Sequence, residues 1–349
     1  MWPECVMAGS DWTLSHPYIS VIIPTYNRES SLRETLHSLS RQIWSVAHFE
    51  VVIVDDGSTD GTASLAQEAF PFSLQYIYQR NQGSAAARNA GAKQSHGEIL
   101  VFIDDDITTE PGYLSGLVEE LRQYDQVIAM GTFQPWLPPE GASVFQVVCA
   151  QSDEHKSLDT TTHWVTFDQC TSNNLAVKRE DFFALGMWQD VAGDGQTLWG
   201  DVDFGYRAYR AHFRFRRSPA AILYHRDYAA RDLTIACRRA QTAAYRAVSL
   251  LWKHPELEGQ LPMFRDKGYV ALGADPADLV VRKLLRGIAS SGPALWLLEA
   301  TARGLEKIFP RPFLLRPLYR WVIGSYIFRG YRQGLRERAV AGRRTKPRC

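Results

Sequence analysis

The sequence predicts an α/β fold with a mixed, mainly parallel, Rossmann-like sheet, flanking helices and a helical C-terminal region. Three observations predict it. Short β-branched runs alternate with amphipathic helical segments through residues 18–131. Several of those runs end in polar or acidic residues, as strands of an open parallel sheet do at their ligand-facing ends. From Asp232 onward the pattern turns helical, punctuated by prolines from Pro255 to Pro317.

The elements follow in order. Tyr18–Pro24 is a buried strand, followed by a polar loop from Thr25 to Ser30. Ser31 is placed to cap a helix running to about Gln42, with Leu32, Leu36 and Leu39 on one face. Glu50–Asp55 is a second strand, closed by Asp56-Gly57-Ser58. Thr59 or Asp60 opens a helix that ends before Pro71. Leu74–Tyr78 is a third strand, and Gly83–Lys93 an Ala-rich helix. Glu98–Ile103 is a fourth strand, ending in Asp104, Asp105 and Asp106. Pro111 begins a helix to about Gln123, and Val127–Gly131 is a fifth strand. Beyond an irregular, proline-marked connection, Cys170–Lys178 reads as strand-like, Gly193–Gly200 as a loop, Asp201–Ala211 as a helix and Phe213–Tyr224 as a strand.

The chain has 349 residues, 45% of them hydrophobic and 22% charged, which excludes a disordered or collagen-like chain. Its five cysteines are scattered and never spaced C-x-x-C, so neither a disulfide framework nor a thiolate zinc site is expected. A reducing cytoplasm fits them. The first 15 residues have no long apolar run and do not read as a secretory signal, and no 18-residue apolar stretch occurs.

The net charge of +1 conceals an asymmetry. Residues 311–349 carry 11 Lys/Arg against one acid, for +10, and the remainder carries 28 against 37, for −9. In that tail Phe313, Leu314, Leu318, Trp321 and Phe328 interleave with Arg316, Arg320, Arg329 and Arg332. Such a basic amphipathic helix fits an anionic membrane surface, or packs on the body with its basic face in water. Nothing suggests base readout, so no nucleic acid partner is expected.

The chemistry concentrates at three strand ends: Pro24-Thr25-Tyr26-Asn27, Asp55-Asp56 and Asp104-Asp105-Asp106. Acids gathered at one sheet edge repel unless donors or a cation compensate, and a hard divalent cation takes such oxygen ligands and bridges to phosphates. Asp55 and Asp56 also suit a turn followed by a helix cap. Capping need does not explain three consecutive acids after a fully apolar strand. The absence of G-x-G-x-x-G after the first strand argues against a nicotinamide-dinucleotide enzyme.

At these residues the sequence resembles the family 2 glycosyltransferases, which have the GT-A fold. Val21-Ile-Ile-Pro-Thr-Tyr-Asn27, Val54-Asp-Asp-Gly-Ser-Thr-Asp60, Asn81-Gln-Gly-Ser-Ala-Ala-Ala-Arg-Asn-Ala-Gly91 and Phe102-Ile-Asp-Asp-Asp106 stand in the family's order. The last looks like its D-x-D motif, with Asp104 and Asp106 at the two named positions. The resemblance implies an inverting transfer of sugar from a nucleotide-diphosphate donor, a UDP-sugar first, to an acceptor hydroxyl in glycan or glycolipid assembly. It implies Mg²⁺ or Mn²⁺ as cofactor. Pro24, Thr25, Tyr26, Asp55 and Asp56 would contact the nucleotide, with Arg88, Asp104 and Asp105 also on the donor. Asp104 and Asp106 would hold the metal, and His225 stands where some GT-A enzymes place a further ligand. Arg88 equally suits a solvated helix surface, and His225 a structural position.

Trp199-Gly-Asp-Val-Asp203 resembles the family's acceptor-side stretch, where Gly200 replaces the usual Glu. Asp201 matches the usual catalytic base and Asp203 the acid after it. Two residues apart on a helix, they point about 200° apart, so only one faces a cleft; Asp201, at the helix start, is the choice. A macrodipole-favoured carboxylate is the alternative for it. Trp188 and Trp199 flank the Gly193–Gly200 loop and suit either sugar stacking or core packing.

The expected organisation is an N-terminal tail (1–17), a transferase domain (18–230) with nucleotide-binding (18–131) and acceptor (132–230) halves, and a helical region (231–349) ending in the basic tail. The expected partners are a nucleotide-sugar donor, a glycan or lipid-linked acceptor and, through 311–349, an anionic membrane surface. The place is the cytoplasm or the inner face of the cell membrane. A non-catalytic sugar-nucleotide-binding scaffold and a nucleotidyltransferase are the competing readings. The latter lacks a Gly- and Lys/Arg-rich loop after the first strand.

Overall fold

The computed structural model describes residues 17–135, 138, 140–157, 163–193, 198–225 and 232–344. Residues 1–16 of the expected N-terminal tail, the middle of the Gly193–Gly200 loop and the last five residues of the basic tail lie outside the described residues. In chain order the described elements are β1 (Ile19–Thr25), α1 (Glu29–Leu39), β2 (Phe49–Asp55), β3 (Ser73–Tyr78), α2 (Ser84–Gln94), β4 (Ile99–Ile103), β5 (Ile107–Thr109), α3 (Tyr113–Gln123) and β6 (Val127–Phe133). There follow α4 (Val144–Ser157), β7 (Trp164–Val165), β8 (Asn174–Lys178), α5 (Arg179–Ala184), α6 (Gly200–Arg210) and β9 (Arg214–His225). The rest is helical: α7 (Leu233–Lys253), α8 (Pro262–Lys267), α9 (Ala277–Ala289), α10 (Gly292–Ile308) and α11 (Pro312–Arg344).

The chain forms two compact units. The first holds residues 1–132, 163–188 and 207–223, the second 133–162, 189–206 and 224–349. The nine strands described join one sheet in the order β3-β2-β1-β4-β8-β6-β9-β5, with β7 on β9. β3, β2, β1 and β4 run parallel, and β8 turns antiparallel against β4. Because β1 lies between β2 and β4, the winding reverses there. In an open α/β sheet such a reversal marks the ligand-binding crevice, here at the carboxyl ends of β1 and β4.

These strands are legible because β1, β2 and β4 are buried along their whole length. Gly91 lets α2 lie close on them: a Cβ there would sit 2.6 Å from Ile22 Cγ2 and 3.0 Å from Val54 Cγ2. Phe102, Phe182 and Trp188 form an aromatic cluster with ring centroids 4.9–6.0 Å apart. Burial of each such ring contributes about 1.5–3 kcal/mol. Trp188 is therefore a core residue of the first unit, not a free stacking surface.

Four expectations are corrected. The first helix starts at Glu29 without a Ser31 cap, because Asp60 Oδ2 accepts from Glu29 N at 3.2 Å and supplies the cap from another loop. It ends at Leu39, since Gln42 turns inward: Nε2 donates to Thr109 Oγ1 and Glu110 O, and Oε1 accepts from Leu114 N. The expected helix before Pro71 is only a 3₁₀ turn, Gly61–Gln67, capped by Asp60 on Thr62 N; its Gly-, Thr- and Ser-containing sequence has weak α propensity. The strand expected from Cys170 begins at Asn174, because Cys170 N closes a 3₁₀ turn on Phe167 O. β5, only three residues long, was not expected at all.

In the second unit α11 packs along α7. Gly330 and Gly334 bring the helices together, where a Cβ would collide with the carbonyl oxygens of Gln241 and Tyr245. Phe145, Val148, Cys237, Ala302, Leu315, Tyr319 and Val322 make one buried cluster. No helix among the described residues is long and apolar enough to cross a membrane.

Glu50 on β2 is a buried carboxylate. Ser20 Oγ and His96 N donate to its Oε1 at 2.6 Å each, and His96 Nδ1 lies 3.1 Å from Oε2. Burial acts to raise its pKa, but these hydrogen bonds outweigh it and hold the carboxyl below the ordinary glutamate value. A carboxylate depressed in the folded state stabilises above its unfolded pKa, and that stability is lost as pH falls through the folded value. The melting temperature of the parent chain should therefore drop more steeply below pH 4.5, the ordinary value, than that of Glu50→Gln. Parallel thermal scans across pH 3 to 6, on the order of the carboxylate range, check this.

Candidate active site

The crevice is lined by loops that hold one another. Asn27 adopts a left-handed φ of 52° just after β1. Its N–H donates to Ser58 Oγ at 2.8 Å and its Oδ1 accepts from Thr59 N at 2.7 Å. Asp56 N donates to Thr25 O at 2.9 Å. The ends of β1 and β2 are thereby fixed as one surface. Pro24 lies buried within β1, Thr25 is buried at its end, and Tyr26 is half exposed.

The two acids after β2 have different tasks. Asp55 Oδ1 accepts from Ser58 N at 2.7 Å, closing the turn, and Oδ2 accepts from the Tyr76 hydroxyl. Burial, followed by the Asp55 hydrogen bond, pushes the Tyr76 pKa up. Asp56 accepts from Gln79 Nε2 at 2.7 Å, Gln82 N at 2.9 Å and Gly83 N at 2.8 Å. It thus organises the loop that leads into α2.

β4 delivers three carboxylates to the crevice. Asp104 is paired with Arg88 Nη2. Arg88, on α2, is 4% exposed, so it is not a solvated helix-surface residue. Asp105 accepts from Thr25 Oγ1 at 2.7 Å, and its backbone oxygen accepts from Thr35 Oγ1 at 3.0 Å. Asp106 Oδ2 accepts from Arg28 Nη1 at 2.7 Å. Arg28 Nε also lies 4.0 Å from Asp105 Oδ1. Burial pushes the Asp105 pKa up to about 7; Asp104 and Asp106 add to this, and Thr25 and Arg28 oppose it. Thr25, Arg28, Arg88 and the three acids form one network of alternating charge.

Arg28 was missed as a site residue because a lone loop arginine reads as solvated. Asn89 was missed too: its side chain exchanges hydrogen bonds with Trp188 O and N, fixing α2 against the segment after α5.

The remaining candidates belong to the second unit. Asp201 stands in the first turn of α6, half-buried, with Oδ1 accepting from Val202 N at 2.9 Å. Asp203 is fully buried, with Lys253 Nζ at 2.6 Å and His254 Nε2 at 2.8 Å from its Oδ1. Tyr206 completes that cluster, donating to Glu256 Oε1 at 2.8 Å. His225 ends β9, exposed, with its ring 6.2 Å from that of Phe133. Trp199 donates to Ala243 O at 2.7 Å and leans on Phe264, a packing role. Among the described residues no group of three or more His, Cys, Asp or Glu is gathered to hold a metal ion.

Residues 20–174 match the family model for glycosyl transferase family 2. Over this stretch the chain is similar to the family 2 glycosyltransferases. It is 39% identical over 209 residues to glycosyltransferase AglE of Haloferax volcanii, a match covering 58% of this chain and 64% of that one. It is 34% identical over 132 residues to glycosyltransferase GlyA of Streptococcus pneumoniae, covering 37% of this chain and 19% of that one. The chain thus spans between about a fifth and two thirds of these relatives' lengths. Among solved structures, the mannosyltransferase PcManGT of Pyrobaculum calidifontis, in complex with GDP-Man and Mn²⁺, superposes with a TM-score of 0.61. That match has 22% identity and covers 93% of this chain and 88% of that one. The fold is GT-A.

The two acids of α6 separate on stability. Asp203→Ala strands Lys253 and His254 beside an emptied buried position and should cost about 3–5 kcal/mol. Asp201→Asn should stay within about 0.5 kcal/mol of the parent. Urea unfolding of both variants measures the difference.

Proposed function

We propose that the protein is an inverting glycosyltransferase that moves a sugar from a nucleotide-diphosphate donor, a UDP-sugar first, to an acceptor hydroxyl in glycan or glycolipid assembly. The observation that carries this reading is the network at the β1/β4 switch point, where Thr25, Arg28, Arg88 and Asp104–Asp106 meet inside the stretch similar to family 2.

The donor set fits a hard divalent cation. Asp104 and Asp106 offer oxygen ligands only, and their arginine partners hold them ready at the strand end. Asp104 and Asp106 would hold Mg²⁺ or Mn²⁺, with His225 as the further ligand. When bound, the ion supplies positive charge against the diphosphate leaving group. Pro24, Thr25, Tyr26, Asp55 and Asp56 form the nucleotide side, and Asp105 orients Thr25. Arg88 and Arg28 orient the donor and favour the charge that gathers on the departing diphosphate. Asp201 takes the proton of the acceptor hydroxyl. The oxygen attacks the anomeric carbon from the face opposite the leaving group, which inverts the configuration.

In this reading residues 18–230 are the transferase domain, with 18–131 serving the donor and 132–230 the acceptor. Residues 231–349 are the helical region that brings the enzyme to the inner face of the cell membrane and to a lipid-linked acceptor.

A thermal-shift screen of nucleotide sugars with and without Mn²⁺ tests donor and metal together. The parent chain should be stabilised most by donor plus Mn²⁺, and Asp106→Asn should lose the Mn²⁺ increment. Asp201→Asn should keep donor binding while turnover drops by about 10²–10⁴-fold. Near-parental turnover in Asp201→Asn would refute its role. Donor binding without turnover on any acceptor would leave a sugar-nucleotide-binding scaffold, the reading that Gly200 favours.

A further inference from the structure

We propose that the face built by α9 and the first turns of α11 binds an anionic phospholipid surface, with a lipid phosphate seated in an arginine-lined cavity shared by these two helices.

The cavity, of about 440 Å³, is lined by Arg286 of α9, by Phe313, Arg316, Pro317, Arg320 and Trp321 of α11, and by Gln151 of α4. Nearby cations are neutralised: Arg282 by Asp278 at 3.0 Å, Lys283 by Asp275 at 2.7 Å and Arg303 by Glu299 at 3.3 Å. Among the described residues Arg286, Arg316 and Arg320 form no ion pair within 4.0 Å, although Asp266 acts on Arg286 from farther off. The Nε atoms of Arg286 and Arg316 are buried without a hydrogen-bond acceptor. The Arg286 guanidinium lies over the Trp321 ring, 5.5 Å from its centroid. Burial, with Arg282 nearby, pushes the Arg286 pKa down, so an incoming anion relieves a desolvated cation. Three planar donors around one hollow match the oxygens of a phosphate ester.

The same two helices also carry apolar residues that are open to solvent. Val281, Leu284, Leu285 and Ile288 recur at i, i+3, i+4 and i+7 on α9, each at least half exposed. Phe313 is 73% exposed on α11. A solvated surface rarely leaves such a stripe bare on a helix that also carries a cavity-lining arginine. Apolar anchors that flank cations are the chemistry of a helix lying in a bilayer interface. Within the basic segment 311–349, the contact falls on the first turns of α11. The other side of these turns is packed through Leu315, Tyr319 and Val322, and farther along Phe328 and Tyr331 are buried too.

The test is flotation of the full chain on vesicles of phosphatidylcholine alone and of phosphatidylcholine mixed one to one with phosphatidylglycerol. It needs no donor or acceptor, so failure of the sugar-transfer reading leaves it standing. Binding is expected on the anionic vesicles only, weakening as salt rises. The triple variant Arg286→Gln, Arg316→Gln, Arg320→Gln should lower partitioning on the order of a hundredfold. Phe313→Ser with Leu314→Ser, both at exposed positions, should weaken binding while leaving the circular dichroism unchanged, and serves if the triple variant misfolds. Arg336→Gln, on the packed half of α11, should bind as the parent does. Equal binding to both vesicle types would overturn the proposal. So would an equal loss in Arg336→Gln. Stabilisation by inorganic phosphate in solution, with vesicle binding unchanged in both apolar and arginine variants, would make free phosphate the ligand and overturn it too.

Discussion

Three successive carboxylates at the end of β4 have to be reconciled with one another before anything else at the crevice can form. Two unit charges about 4 Å apart repel by about 4 kcal/mol at an effective dielectric near 20. The fold answers with two arginines from different elements: Arg88 from α2 reaches Asp104, and Arg28 from the loop after β1 reaches Asp106. Asp105, between them, is directed to the Thr25 hydroxyl, and burial raises its pKa. Each partner sits on a segment that other bonds hold in place. Asp56 fixes the loop before α2, and Asn27 ties the β1 loop to the β2 turn. The signature motifs are therefore one electrostatic assembly seen at several points along the chain.

Most of the sheet was legible in the sequence because its central strands are buried on every residue, and continuous apolar runs are hard to mistake. Features created by distant partners were not legible. Ser31 satisfies every local rule for a helix cap, yet Asp60 supplies the acceptor for Glu29 N from another loop. Gln42 looks like a helix terminus and instead binds β5 and α3. At the candidate site the acids could be named from their strand ends, but not their separate tasks. Nothing in Asp55-Asp56 says that the first closes its own turn and binds Tyr76 while the second gathers donors from residues 79–83.

The basic C-terminal segment gives the same lesson at larger scale. Its amphipathic composition is plain, but a stripe of apolar residues says nothing of which turns meet protein. Two glycines decide it. Gly330 and Gly334 permit contact between α11 and the backbone of α7, so the latter half of the helix is committed to packing. Its first turns keep Phe313, Leu314 and Trp321 outward. Pro317 lies within α11 without ending it, although proline reads as punctuation in the sequence.

The pair Asp201 and Asp203 shows how packing can assign chemistry. Helix geometry alone requires that acids two positions apart diverge, without saying which turns inward. Asp203 goes inward because Lys253 and His254 at the end of α7 supply an ion pair and a hydrogen bond to a carboxylate that could not be buried alone. That anchor fixes the rotation of α6 about its axis. Asp201 is then held on another side of the helix, half-buried, with Val202 N as donor to one oxygen. The side of α6 that Asp201 takes thus follows from the ion pairs of its neighbour.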